Sequence, residues 1–387
     1  MANVSSSNGL EKRPKLRFPG FDEPYKQCRI GDIYAERSQR GASDMELLSV
    51  TMNDGVMPRS EIEGKDNSSE DKSNYKVVLT GDMVYNSMRM WQGANGISPC
   101  DGIVSPAYTV LMPKIPISNG YFAAFFKSPN LINEFRKNSQ GMTSDTWNLK
   151  YPQIETIKVC IPALSEQNRV ADMLRTLERR IAKQAQLVDN LKKYKRGVTR
   201  AIFSKELSFS SEGSQYPQWD QKLIGEICKI QTGKSNTQDE TDEGLYPFYV
   251  RSPVVRKSYR YLFNCEAVLT VGDGVGTGKV FHYVTGKFDL HQRVYAMTDF
   301  RKVSGKYFYY YFSHFFYDRV MRMTAKTSVD SVRYEMIDKM PILIPCEEEQ
   351  NQIVFFLDRL GAQLKDAENE LLLLATLKSG SLQQLFI

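Results

Sequence analysis

The sequence predicts an α+β fold, in which two pseudo-repeated globular α/β domains are separated by two long helices. A segment that begins Ile161-Pro162 occurs again 183 residues later, where it begins Ile344-Pro345. Weaker similarities between the two halves precede each copy. A repeat of this length indicates two copies of one structural unit. With 387 residues, the chain is long enough for two such units, each burying its own core.

The long helices are predicted from apolar residues that follow Glu166-Gln167 and Glu349-Gln350 at heptad spacing. More than three heptads favour a coiled coil over the alternative of two amphipathic helices in the core of an ordinary domain. Lys195 and Lys378 occupy equivalent positions in the two heptad patterns. Gly361, inside the second helix, costs about 1 kcal/mol of helix stability relative to alanine. The predicted seam comprises Val170, Leu174, Leu177, Ile181, Val188, Leu191, Ile353, Leu357, Leu360, Leu364, Leu371 and Leu374.

The ends of the helices carry their own signals. Pro162 and Pro345 end the preceding strands, and Ser165 is the predicted N-cap of the first helix. Three glutamates, residues 347–349, favour the positive end of the second helix. The Ser-rich stretch 204–215 is predicted to link the first helix to the second globular part.

The globular parts are predicted to mix short strands with a few helices. Residues 76–79 and 267–270 have the composition of strands. An aromatic-Pro-x-aromatic signature precedes the first strand of each half, as Phe18-Pro19-Gly20-Phe21 and as Tyr216-Pro217-Gln218-Trp219. The helices match each other better than the globular parts do, which differ in sequence and in loop length.

Composition limits the classes of function. No apolar run approaches the roughly 20 residues that span a membrane, and the N-terminus lacks the apolar core of a secretory signal. Six scattered cysteines without a Cys-x-x-Cys pair favour reduced thiols over a zinc site and indicate a cytoplasmic protein. The net charge of +6 and the pI of about 8.8 permit nucleic-acid binding without establishing it.

The repeated segment resembles the specificity subunits of type I restriction–modification systems. The shared motif is Ile-Pro, then Glu-Gln-x-x-[Ile/Val], which stands here as Glu166-Gln167-Asn168-Arg169-Val170 and as Glu349-Gln350-Asn351-Gln352-Ile353. The opening Leu16-Arg17-Phe18-Pro19-Gly20-Phe21 is also similar to many members. The resemblance covers nearly the whole chain.

The resemblance implies a subunit that reads a bipartite, asymmetric DNA site and is itself no enzyme. Its two helices would be antiparallel, with one target-recognition domain for each half-site. The implied partners are double-stranded DNA, two methyltransferase subunits docked on the helices and, through them, restriction subunits. S-adenosylmethionine, ATP and Mg²⁺ are expected only on those partners, so no cofactor and no metal is expected on this chain.

This family organisation gives a set of predicted boundaries. It consists of a polar N-terminal tail at 1–15, a first target-recognition domain at 16–154, a first helical region at 155–205, a second target-recognition domain at 206–338 and a second helical region at 339–387.

Side chains that can donate to base edges or to phosphates are the candidates for DNA contacts. In the first domain they are Arg37, Arg40, Asn86, Arg89, Trp91 and Gln92. In the second domain they are Arg251, Arg256, Lys257, Arg260, Lys279, Gln292 and Arg293. The alternative for each one is a solvated surface residue, and the clusters carry more weight than their members.

A nucleotide-binding site at the glycine-rich run 272–279 is a competing interpretation. Asp273 stands where a phosphate-binding loop needs its first glycine, and Val280 replaces the hydroxyl residue. The residues that follow alternate like a strand, so we predict a tight hairpin loop. The other rivals are a stand-alone adenine methyltransferase, which the missing Asn-Pro-Pro-aromatic motif disfavours, and a coiled-coil scaffold with no DNA role.

Overall fold

The computed structural model describes residues 13–41, 44–52, 54–66, 68–209, 216–274, 276–323 and 331–387. It divides into two compact units. The first contains the described residues up to Gln186 together with Asn369–Ile387, and the second is Leu187–Glu368. Most of the predicted N-terminal tail, residues 1–12, lies outside the described residues, as do residues 210–215 of the predicted linker.

The first unit is built on a four-stranded antiparallel sheet with the order β2-β9-β6-β7. A two-stranded sheet, β1-β10, leads into the long helix α5, and two further pairs are β3-β4 and β5-β8. The strands are β1 (Lys26–Arg29), β2 (Tyr34–Glu36), β3 (Leu48–Thr51), β4 (Gly55–Pro58), β5 (Lys76–Val78), β6 (Met83–Asn86), β7 (Asn95–Ile97), β8 (Gly102–Val104), β9 (Tyr108–Pro113) and β10 (Lys158–Ile161). The helices are α1 (Ile30–Ile33), α2 (Asn119–Phe125), α3 (Pro129–Asn138), α4 (Tyr151–Ile154) and α5 (Leu164–Phe203).

The second unit repeats the central part of this plan. Its four-stranded antiparallel sheet has the order β12-β19-β16-β17, and its two-stranded sheet is β11-β20. The strands are β11 (Asp220–Leu223), β12 (Lys229–Thr232), β13 (Tyr246–Tyr249), β14 (Arg256–Ser258), β15 (Phe263–Asn264), β16 (Ala267–Val271), β17 (Phe281–Val284), β18 (Lys287–Leu290), β19 (Val294–Thr298) and β20 (Pro341–Ile344). The helices are α6 (Ile224–Ile227), α7 (Gly305–Met323), α8 (Tyr334–Asp338) and α9 (Glu347–Leu385).

The two units differ in the strands outside this shared plan. The first carries the separate pairs β3-β4 and β5-β8, whereas the second carries one four-stranded sheet, β14-β13-β18-β15, in which β13 and β18 run parallel. These strands lie in the regions where the two halves of the sequence match least. A common scaffold therefore carries two different sets of accessory strands.

In each unit the long helices pack antiparallel. In the first, Lys378 of α9 pairs with Glu178 of α5 at 2.8 Å; in the second, Lys192 of α5 pairs with Glu368 of α9 at 2.7 Å. From Glu178 to Arg180 on α5 the partners on α9 run backwards, from Lys378 to Glu370. From Lys192 to Lys195 they also run backwards, from Glu368 to Gly361. Every residue of the predicted seam is withdrawn from solvent: Val170, Leu174, Leu177, Val188, Ile353, Leu357, Leu360 and Leu374 are buried, and Ile181, Leu191, Leu364 and Leu371 are half-buried.

The lysines and the glycine singled out in the helices are related by the repeat. Lys378 faces Glu178, and the residue equivalent to Glu178 in the second helix is Gly361. A Cβ at Gly361 would lie 3.4 Å from the amine of Lys195, which itself stands 6.0 Å from the ring centre of Tyr310. The repeat would place an ion pair at Lys195 like that between Lys378 and Glu178, but Gly361 has no side chain to form it.

One prediction about an element end was wrong. Helix α5 begins at Leu164, so Ser165 lies within its first turn rather than at the N-cap. The aromatic-Pro-x-aromatic signatures precede the first strands, β1 and β11, as predicted, but at different distances. Trp219 directly precedes β11, whereas Tyr25, not Phe21, directly precedes β1.

Candidate nucleic-acid interface

Gln167 attaches the start of α5 to the first globular part. Its side-chain oxygen accepts a hydrogen bond from the backbone N–H of Ser118 at 3.0 Å, and its amide nitrogen donates to the carbonyl of Pro162 at 3.0 Å. Ser118 is the N-cap residue of α2. Beside it, the buried Glu166 accepts two hydrogen bonds from the guanidinium of Arg17, at 2.9 and 2.8 Å. Both residues of the repeated Glu-Gln motif thus position the globular part.

Gln350 does the same in the second unit. Its side-chain oxygen accepts from the backbone N–H of Ser304 at 2.9 Å, and its amide nitrogen donates to the carbonyl of Pro345 at 2.9 Å. Glu349 accepts a hydrogen bond from the indole of Trp219 at 2.9 Å, and burial raises the pKa of this carboxyl group. The motif that predicts the fold is therefore a structural joint rather than a DNA contact.

In the first domain, four of the candidate residues lie at the end of β6 and on the turn that follows it. The side-chain oxygen of Asn86 accepts a hydrogen bond from the backbone N–H of Met88 at 3.0 Å, and the indole of Trp91 donates to the carbonyl of Met88 at 3.1 Å. The side chain of Arg89 is exposed, and Gln92 is half-buried at the end of the turn. Asn86 and Trp91 therefore shape the turn that presents Arg89.

A hairpin that the sequence did not single out lies against this turn. Residues 140 and 148 exchange backbone hydrogen bonds at 2.9 and 2.8 Å, and the ring of Trp147 meets that of Trp91 edge-on at 5.2 Å. The tip residue Met142 is fully exposed. Trp91 and Trp147 themselves were the signal in the sequence that could have indicated this contact. They lie too far apart in sequence to be recognised as neighbours without the fold.

The two remaining arginines of the first domain differ in surroundings. Arg37 makes a two-point contact with Asp82, at 2.7 and 3.2 Å, and Asp82 is only 2% exposed. The guanidinium of Arg37 is therefore occupied in neutralising a buried charge, which favours a structural role. Arg40 is exposed at an isolated bridge with Lys76 and remains available to a ligand.

In the second domain the ends of three strands bring Arg251, Arg293 and Asp273 together. Arg251 follows β13, Asp273 follows β16, and Arg293 precedes β19. The carboxylate of Asp273 lies 3.4 Å from Nη1 of Arg251 and 3.7 Å from Nε of Arg293. Burial, and then the nearby Arg251, lower the pKa of His291, whose Nδ1 accepts the backbone N–H of Arg293 at 3.0 Å.

Arg260 joins the same surface from the next strand pair. It contacts Asp239 at 2.9 Å and the hydroxyl of Ser235 at 3.1 Å, and it lies 3.8 Å from the fully buried Asp289. Gln292 is exposed beside them, and its backbone N–H donates to the carbonyl of Ser235 at 2.9 Å. Four of the predicted residues thus share one surface.

The other three candidates of the second domain are also exposed. Arg256 pairs with Glu240 at 3.2 Å, and its neighbour Lys257 is exposed on β14. Lys279 stands over the ring of Tyr317 at 5.1 Å. The residues after the glycine-rich run form β17, Phe281–Val284, as the sequence predicted, and not the helix that a dinucleotide fold requires. Residue 275 of the run lies outside the described residues.

The comparison that decides the family covers both halves. A family model described as the type I restriction modification DNA specificity domain matches residues 23–193 and residues 217–374. The chain belongs to this family. Membership confirms the sequence-based prediction of a DNA-specificity subunit of a restriction–modification system, a class of subunit that is not an enzyme.

An individual relative of this specificity chain has low sequence identity to it. It is 26% identical over 161 residues to the type I restriction enzyme EcoDI specificity subunit of Escherichia coli, a match that spans 42% of this chain and 35% of that protein. The matched part is therefore about a third of that relative's length.

Solved structures share the fold of the specificity chain. The S subunit of a type I restriction–modification system from M. genitalium matches with a TM-score of 0.63 at 14% identity, covering 97% of this chain and 99% of that one. The HsdS subunit from Thermoanaerobacter tengcongensis matches with a TM-score of 0.52 at 15% identity, over 96% and 98% of the two chains. These matches confirm the predicted fold class. Within the described residues, no helix has the length and apolarity that crossing a membrane requires.

Proposed function

We propose that this chain reads a bipartite, asymmetric DNA site, with one half-site for each recognition domain. The observation that carries the proposal is the duplicated scaffold with different accessory strands. A common sheet and a common Glu-Gln joint support each domain, whereas β13 and β14, which Arg251 and Arg260 follow, belong to a four-stranded sheet that the first unit lacks within its described residues. Two recognition domains with different surfaces are suited to binding two different half-sites of one duplex.

The domain surfaces have the chemistry that DNA contacts need. Exposed guanidinium groups can bind guanine edges through two hydrogen bonds or neutralise phosphates. Arg40 and Arg89 serve in the first domain, and Arg251, Arg260 and Arg293 serve in the second. Arg37 is the weakest of the candidates, because Asp82 occupies its guanidinium group.

We further propose that methyltransferase subunits dock on the long helices and that restriction subunits join through them. Helix α9 exposes Leu372, Leu373 and Leu377, at 67%, 69% and 57% of their surfaces. Exposed apolar side chains that lie close together mark protein interaction sites. S-adenosylmethionine, ATP and Mg²⁺ belong to these partners in the proposal, and the assembly works in the cytoplasm.

The test is the methylation pattern of cells that express this chain with its methyltransferase partners. The proposal predicts methylated adenines in a motif of two unlike half-sites with an unread gap. A palindromic or contiguous motif would contradict the two-reader arrangement. Adenine methylation by the isolated chain, or binding of S-adenosylmethionine to it, would instead support the rival stand-alone methyltransferase.

A further inference from the structure

The four exposed candidate arginines of the second domain all stand beside carboxylates. Arg256 pairs with Glu240 and Arg260 with Asp239, while Arg251 and Arg293 share Asp273. In the first domain, the exposed Arg40 and Arg89 have no ion pair with any residue that the structure describes. The exposed candidate arginines of the two proposed readers therefore differ in whether a carboxylate stands beside them.

Asp273 is placed to control two arginines at once. Its side chain is 25% exposed, and those of Arg251 and Arg293 are 50% and 64% exposed. The separations of 3.4 and 3.7 Å are longer than the roughly 2.7–2.9 Å of a strong charge-assisted hydrogen bond. An exposed pair of this kind contributes little stability, and either arginine can leave it for a better partner.

The electrostatic consequence concerns DNA of any sequence. One carboxylate cancels one of the two positive charges and repels an approaching phosphate. Phosphate attraction is the part of DNA binding that carries no sequence information. A carboxylate at this position costs affinity for every duplex, but a half-site whose bases bind both guanidinium groups recovers that cost.

We propose that Asp273 is a specificity-determining residue, which withholds Arg251 and Arg293 from phosphates of unrelated DNA and releases them to the bases of the correct half-site. This inference rests on the proposed function of the chain. It is a case of specificity gained by weakening the wrong complexes rather than by strengthening the right one.

The experiment compares Asp273→Asn with the wild type in the complex of the full chain and its methyltransferase subunits. Binding is measured by fluorescence anisotropy as a function of salt, on a duplex with the methylated motif and on one with the second half-site scrambled. Glu335→Gln is the matched control, because it makes the same charge change in the same unit, where Glu335 pairs with Lys339 at 3.5 Å.

The inference predicts that Asp273→Asn binds the scrambled duplex more tightly, on the order of tenfold at 0.1 M salt, since one added phosphate contact changes the slope of log K against log salt by about 0.9. The slope should steepen by between about 0.9 and 1.8, and discrimination between the duplexes should fall. Adding Arg251→Gln and Arg293→Gln to Asp273→Asn should remove the gain.

Three results would overturn the inference: an Asp273→Asn variant that behaves like Glu335→Gln, a gain that survives loss of both arginines, or an equal weakening on both duplexes. Asp273→Ser, which also lacks the charge, replaces the asparagine variant if that variant does not fold. A wild-type complex that fails to discriminate the two duplexes would contradict the proposed function itself, which is a separate outcome.

Discussion

Gln167 and Gln350, which are 183 residues apart, make the same two hydrogen bonds in their respective units. Each accepts from the backbone N–H of the serine that precedes a helix of the globular part, and each donates to the carbonyl of the proline before the long helix. A buried amide that satisfies two backbone groups fixes an angle as well as a distance. The joint between domain and helix is therefore the same in both halves, whatever the domain reads.

Replacing either glutamine should loosen its own unit. Gln350→Ala removes the hydrogen bonds to the N–H of Ser304 and to the carbonyls of Pro345 and Lys302, and a buried group left unpaired costs about 1–3 kcal/mol. We expect faster amide exchange in α7 and in the first turns of α9, measured by hydrogen–deuterium exchange. Gln186→Ala, on an exposed position of α5, should leave protection unchanged. Equal effects of the two variants would contradict the joint.

Substitutions at Arg37 and at Arg89 should affect different properties, the first the stability of the protein and the second its DNA binding. Arg37→Ala leaves the charge of Asp82 buried and unpaired, which costs about 3–5 kcal/mol. Arg89→Ala removes an exposed side chain and should change stability by no more than about 0.5 kcal/mol. Thermal unfolding and DNA binding of both variants provide the check. The account requires that Arg89→Ala weakens DNA binding while its unfolding temperature stays that of the wild type.

Gly361 offers a stabilising change. Gly361→Ala should stabilise the second unit by about 1 kcal/mol, because alanine loses less backbone entropy in a helix. Gly197→Ala is the matched control in α5, where a Cβ would meet nothing within 4 Å. Gly361→Glu should add a further ion pair with Lys195, like that between Glu178 and Lys378. If Gly361→Ala destabilises while Gly197→Ala stabilises, the helices approach more closely at Lys195 than the structure indicates.

The second unit should lose stability when the solution is acidified from pH 7.5 to 5.5. Burial is the main cause that lowers the pKa of His282, His291 and His314, and all three lie in this unit. Because their folded pKa values lie below the ordinary value of about 6.5, the unfolded chain binds protons first, so the stability present above that value is lost as the pH falls.

Hydrogen exchange of the two units at several pH values, corrected for intrinsic rates, measures this difference. Glu349, whose pKa burial raises, acts in the opposite direction, because its burial favours the protonated carboxyl group as the pH falls. A first unit that loses as much protection as the second would show that the histidines are not responsible. His314→Gln, which removes one of the three titrating groups, should reduce the pH dependence.

The sequence predicted the repeated helices because the chemistry there is local. A heptad of apolar residues and a buried Glu-Gln pair recur at fixed spacing, so the pattern is visible without the fold. The contacts within the candidate site could not be predicted in this way. Nothing near Arg37 in sequence indicates its contact with Asp82, and nothing near Trp91 points to Trp147, since only the tertiary fold brings these residues together. Asp273 was considered only as part of a glycine-rich run, and the two arginines that share it come from other strands.

The most direct test of the account is an exchange of the second recognition domain. Residues 206–338 are replaced by the same domain of a relative with a different methylation motif, and the joint residues Gln350 and Glu349 stay in place. The methylated motif of cells carrying the hybrid is then sequenced. The account predicts that one half-site changes to that of the relative while the other half-site stays the same. A hybrid that methylates DNA but changes both half-sites, or neither, would contradict the claim that each domain reads its own half.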